Sequence, residues 1–138
     1  MKVETFEHQG EGISCVYKNE EWLVSIKNWK PDNDIAGVHH LEVHHETDEQ
    51  FILMMGQAIL ISADRDGDKF INVALTKMEI GKVYNVPKEK WFYSITQKDT
   101  KMAYIQHAET SMENSDFHNL APEQVTAIQN ESRQLLGL

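Results

Sequence analysis

The sequence predicts an all-β protein, an antiparallel sandwich or barrel, that ends in one short α-helix. Short runs rich in β-branched and aromatic residues recur through the first four-fifths of the chain, each bounded by Gly, Asp, Asn or Pro. No helical spacing interrupts them, which argues against alternating βαβ units. Only the last stretch changes period.

The expected strands are Ile13–Tyr17, Trp22–Trp29, Leu41–His45, Gln50–Met55, Ala58–Ser62, Phe70–Leu75, Val83–Val86, Trp91–Thr96 and Met102–His107. Gly56-Gln57 joins two apolar runs and reads as a tight hairpin. Asp64-Arg65-Asp66-Gly67-Asp68 is a polar turn whose Asp-Gly step suits positive φ. It is not a calcium loop, because Lys69 stands where glycine is required and Leu75 where glutamate is required. Phe51–Met55 and Ala58–Ile61 alternate little, so both faces of these strands must be covered, by a sheet, a helix or another subunit. After residue 109, Pro122 and Glu123 open a helix with Val125, Ile128, Ser132 and Leu135 along one side and Ala121 as a weak N-cap. Residues 1–138 read as one domain, with a barrel over about 10–108 and a tail and helix over about 109–138.

Composition narrows the function classes. Of 138 residues, 41% are hydrophobic and 25% charged, a globular balance, and the net charge of -9 repels a phosphate backbone, so no nucleic-acid partner is expected. The longest apolar runs, FILMM and AILI, are far too short to span a bilayer, so no membrane partner is expected either. The first twelve residues carry three glutamates and no apolar run, unlike a secretory signal. The single cysteine, Cys15, makes no internal disulfide and fits a reducing, cytoplasmic compartment. Its strand-like setting suggests a buried thiol. Trp22 and Trp29 read as structural.

Two spacings carry chemical information. Glu49 is followed by six residues and Gly56, with His45 four positions before it. Gly81 is followed by five residues and Pro87. Together, on an all-β pattern, they resemble the two motifs of the cupin family over roughly residues 41–107. The resemblance implies a double-stranded β-helix, or jelly-roll barrel, and a divalent metal (zinc, nickel, iron or manganese) held by three histidines and a glutamate. The chain departs from that set. Val43 falls at the first histidine, Phe92 at the third, Glu89 at the second motif's later glycine and Thr96 at its asparagine, which leaves His45 and Glu49 as the metal ligands. Two ligands are few for a tight site.

The neighbouring histidines do not complete the set on one strand. His44 and His45 point to opposite faces, and His39 and His40 lie too far along an extended chain. A bulge would bring His44 inward instead, but the register from Glu49 favours His45. The expected site is therefore a small-molecule pocket lined by His45, Glu49, Phe92, Tyr84 and Tyr104, with His44 as substitute. Its ligand would be a sugar or carboxylic acid. The alternative is a metal-dependent isomerase or dioxygenase with a non-standard ligand set. Doubly apolar strands and the helix suggest a homodimer burying on the order of 1,200 Å² or more.

Overall fold

In a computed structural model, which describes residues 1–138, ten strands form two antiparallel sheets. The first sheet has the order β1-β2-β9-β4-β7, built from Ile13–Lys18, Trp22–Asn28, Lys101–His107, Glu49–Met55 and Val83–Val86. The second has the order β10-β3-β8-β5-β6, built from Ser115–Asn119, His40–His44, Trp91–Thr96, Ala58–Asp66 and Lys69–Lys77. The helix α1 runs Pro122–Leu136 and stops at Gly137, whose left-handed φ of 73° ends the helix. Ala121 is its N-cap, as expected, and its side chain makes no capping bond. The architecture is the jelly-roll barrel anticipated above.

Alternation along the strands divides the apolar residues into two cores. Phe51, Leu53, Val86 and Met102 from the first sheet meet Ala58, Leu60 and Phe92 from the second, filling part of the barrel interior. The intervening residues of the second sheet, among them Leu41, Val43, Ile59, Ile61, Trp91 and Ile95, face outward under Ile128 and Leu136 of α1. The second face of β5 is thus covered by the chain's own helix. The outer face of β4 has no such cover, and Met54 is 45% exposed there.

Gly56-Gln57 is not a hairpin turn. The chain leaves β4 in one sheet and enters β5 in the other, because β4 pairs with β7 and β9, and β5 with β6 and β8. Gly56 is needed at this corner: its φ is 73°, and a Cβ would stand 3.0 Å from the backbone of Asp99 and Thr100. The turn after β5 is shorter than expected, since the strand continues to Asp66 and Gly67 and Asp68 alone connect it to β6. A tenth strand, β10, comes from the tail and pairs with β3 along its whole length, so the barrel extends beyond residue 108.

Two side chains are less protected than the sequence suggested. Cys15 is exposed rather than buried: β1 is an edge strand with a register shift between Cys15 and Tyr17. Trp22 is 44% exposed. Trp29, by contrast, donates its indole N–H to Asp34 at 2.9 Å.

Candidate functional site

Leu41 and Val43 face the helix-covered core, so Glu42 and His44, the alternate residues of β3, face the barrel interior. His44 is 9% exposed. Its Nε2 lies 2.9 Å from Glu49 Oε1 on β4, and its Nδ1 lies 2.7 Å from Ser115 Oγ on β10. One imidazole thus ties the two sheets and the edge strand together. Burial alone would lower the His44 pKa, but the hydrogen bond to Glu49 and the charges of Glu49 and Glu42 outweigh it and raise the value above 6.5. Burial raises the Glu49 pKa, only partly offset by the bond from His44. In the imidazolium form, Nε2 donates to the Glu49 carboxylate and Nδ1 to the Ser115 hydroxyl.

His45 is not the inward histidine. β3 ends at His44, and His45 lies beyond it, with its side chain about one-third exposed. Its Nδ1 lies 3.1 Å from Glu89 and its Nε2 2.7 Å from Asp116, whose hydrogen bonds raise its pKa. The cupin motif admits three or four residues between its second histidine and its glutamate, and His44 satisfies the longer spacing to Glu49. Val43 likewise does not occupy an interior ligand position. It is packed under the helix, and Glu42 takes that place.

Phe92 is in the interior as expected, 2% exposed, with its ring 5.5 Å from His44 and 5.8 Å from Phe51. Tyr104 lies 5.8 Å from Phe51, and burial pushes its pKa up to about 12. Tyr84 packs at the edge of the same core and accepts a hydrogen bond from the Glu79 amide, a structural role.

Nothing in the residue pattern points to Lys27 as a site residue. This β2 lysine is 5% exposed, and its ammonium crosses to the other sheet, donating to Ser94 Oγ at 2.7 Å. Asn33, in a 3-10 turn over Pro31–Asn33, donates to the same serine at 3.2 Å and to its carbonyl at 2.8 Å. Gly37 lets that turn close, since a Cβ there would sit 1.9 Å from the Pro31 carbonyl oxygen. Burial lowers the Lys27 pKa from 10.5 to about 8, and Glu42 and Glu49 only partly oppose this. An open cleft of about 690 Å³ reaches Lys27 and Glu42. It is also lined by Lys30, His40, Tyr93 and Phe117. Deeper in the barrel, Gln106 sits opposite Glu49 across β9 and β4, and its buried Oε1 has no hydrogen-bond partner.

These residues do not fit a metal ion. Both nitrogens of His44 are engaged, Phe92 fills the place of a further ligand, and the Lys27 cation faces the same carboxylates. No group of three or more His, Cys, Asp or Glu side chains is arranged to hold one. His45 and Glu49 are not brought together, because Glu49 pairs with His44.

No protein-family model matches the chain, and no curated protein sequence is similar to it. Solved structures do share its fold. A Streptomyces PAC13 variant with uridine superposes with a TM-score of 0.58 at 9% identity, covering 90% of this chain and 97% of that one. KdgF from Halomonas sp. gives 0.52 at 10% identity over 78% and 90% of the two chains. A cupin-2 domain containing protein from Shewanella frigidimarina gives 0.50 at 16% identity over 72% and 82%. The chain has the cupin fold. It is a small cupin barrel whose interior carries a lysine and a histidine–glutamate pair. No helix in it is long and apolar enough to cross a membrane.

Proposed function

We propose that the barrel binds a small hydroxylated carboxylic acid at the cleft that ends on Lys27. The carrying observation is the buried ammonium itself. A lysine has three N–H donors, and the hydrogen bond to Ser94 uses one. A buried cation is costly unless it is paired, and a ligand carboxylate supplies that pair. Lys30 adds a second positive charge at the cleft, while Glu42 and His40 offer hydrogen bonds to hydroxyl groups. Metal chemistry is no part of this reading.

Thermal-shift titration with hydroxy acids, sugar acids and neutral sugars tests it. At least one acid class should stabilise the protein saturably, because a ligand that binds only the native state does so by mass action. The effect should disappear in Lys27→Met and shrink in Glu42→Gln. Equal stabilisation by neutral sugars, retained in Lys27→Met, would overturn it.

A homodimer through the outer face of the first sheet is proposed on a separate observation. Val24, Ile26, Ala103 and Met54 line an apolar groove on that face, walled on one side by Phe6. A second copy offers a self-complementary apolar surface of the same kind. Sedimentation at high micromolar concentration should give a dimer, and a monomer would refute it.

A further inference from the structure

We infer that Lys27 is a nucleophile that forms an imine with a 2-oxo acid bound in the cleft. This rests on the cleft being the ligand site, as proposed above, and adds a covalent step to it. The geometry has the parts such a step needs. Lys27 lines the cleft from a buried position, so a ligand carbonyl carbon entering there meets the amine rather than bulk water. The Ser94 hydroxyl, itself 1% exposed, fixes the direction of the side chain at 2.7 Å, and Asn33 holds that serine in turn. Lys30 remains free to take the ligand carboxylate once Lys27 is used as the nucleophile. Glu42 lines the same cleft, and its charge bears on Lys27 more strongly than that of any other carboxylate.

The chemistry closes without an oxidant or metal. The neutral amine attacks the carbonyl carbon. As the C=O π bond opens, Glu42 carries one proton from the nitrogen to the carbonyl oxygen, leaving a neutral carbinolamine. Glu42 then carries the second nitrogen proton to the hydroxyl, which leaves as water as the C=N bond forms, and its carboxylate is regenerated. Two N–H bonds and one C=O bond are replaced by one C=N bond and one released water. Desolvation favours the reactive form of the amine. With a pKa of about 8, Lys27 is neutral in roughly a fifth of molecules near pH 7.4, against about one in a thousand for an ordinary lysine. The groups bearing on this proton are Glu42, Lys30 and Glu49, with the Tyr93 ring 5.3 Å away.

The test is reductive trapping. The full-length protein is incubated near neutral pH with pyruvate or glyoxylate and sodium cyanoborohydride, which delivers hydride to an imine carbon and leaves a stable secondary amine. Intact mass and peptide mapping then locate the label, and thermal shift without the reductant measures reversible binding. The expected result is one label per chain at Lys27, formed at least about tenfold faster than at any other lysine, and absent in Lys27→Arg. Mapping in the wild type identifies the residue whether or not that variant folds. Reversible binding of the oxo acid without a Lys27 label would overturn the imine and leave the binding reading intact. Label spread evenly over surface lysines would also overturn it. No binding and no label would overturn both.

Discussion

Replacing Lys27 by methionine should make the protein more stable at neutral pH while removing ligand binding. The fall in the Lys27 pKa from 10.5 to about 8 means that the folded interior disfavours the charged form. By linkage this is worth about 3 kcal/mol at pH 7. Methionine is similarly long and unbranched and leaves no charge to desolvate. Against this stands the lost hydrogen bond to Ser94, about 1 kcal/mol. That serine keeps its bond from Asn33 at 3.2 Å. The net expectation is a gain of about 2 kcal/mol at pH 7. The pH dependence gives a second signature. Between about pH 8 and 10.5 the native wild type binds fewer protons at Lys27 than the unfolded chain does. Wild-type stability therefore rises with pH through that window, and the variant's advantage shrinks. Urea denaturation followed by tryptophan fluorescence at pH 7 and pH 10 measures both. A variant destabilised at pH 7, or a gap unchanged between the two pH values, would refute the reasoning. A gain in stability with loss of binding is the expected trade-off at a functional site.

Phe92→Ala empties the most buried aromatic position beside His44 and should cost about 3–5 kcal/mol in chemical denaturation. His44 has a raised pKa, so its contribution is present below 6.5 and is lost as pH rises through its folded value. His44→Gln should flatten the stability profile across that window. The exposed His45 pairs follow the same sign, but solvent screening limits His45→Ala to about 1 kcal/mol or less, with ligand binding unchanged. Cys15 should react with a thiol reagent in the native protein as quickly as in urea, as an exposed edge-strand thiol does. Slow native labelling would contradict its exposure.

Nine of the ten strands were legible as short runs of β-branched and aromatic residues between turn residues, and the helix by the spacing of its apolar side. β10 was not. Ser115-Asp116-Phe117-His118-Asn119 is polar, and its strand character comes from backbone pairing with β3. The choice between His44 and His45 turned on where β3 stops, and the family spacing admits either. Lys27 was hidden for a different reason. In Trp22-Leu23-Val24-Ser25-Ile26-Lys27, both faces of the strand carry apolar residues, so parity does not say which side is inside. Lysine is also rarely buried, so its composition signal points outward. Only the crossing to Ser94 on the other sheet shows that it faces inward.

The cleft has walls of unequal stiffness. Its floor is the β2 lysine held by Ser94 of β8, with Asn33 bonded to that serine from behind, all three side chains buried. Its outer wall includes Phe117, His118 and Asn119 of β10, a five-residue edge strand that is largely exposed and bonded on one side only. Amide hydrogens at such an edge exchange through local opening, well before the global unfolding that frees a central strand. Because Ser115 on that strand also holds His44 Nδ1, each opening of β10 releases the imidazole as well as widening the mouth. Ligand exchange and proton exchange at His44 would then share one gate, and slowing the first by stapling β10 to β3 would slow the second with it.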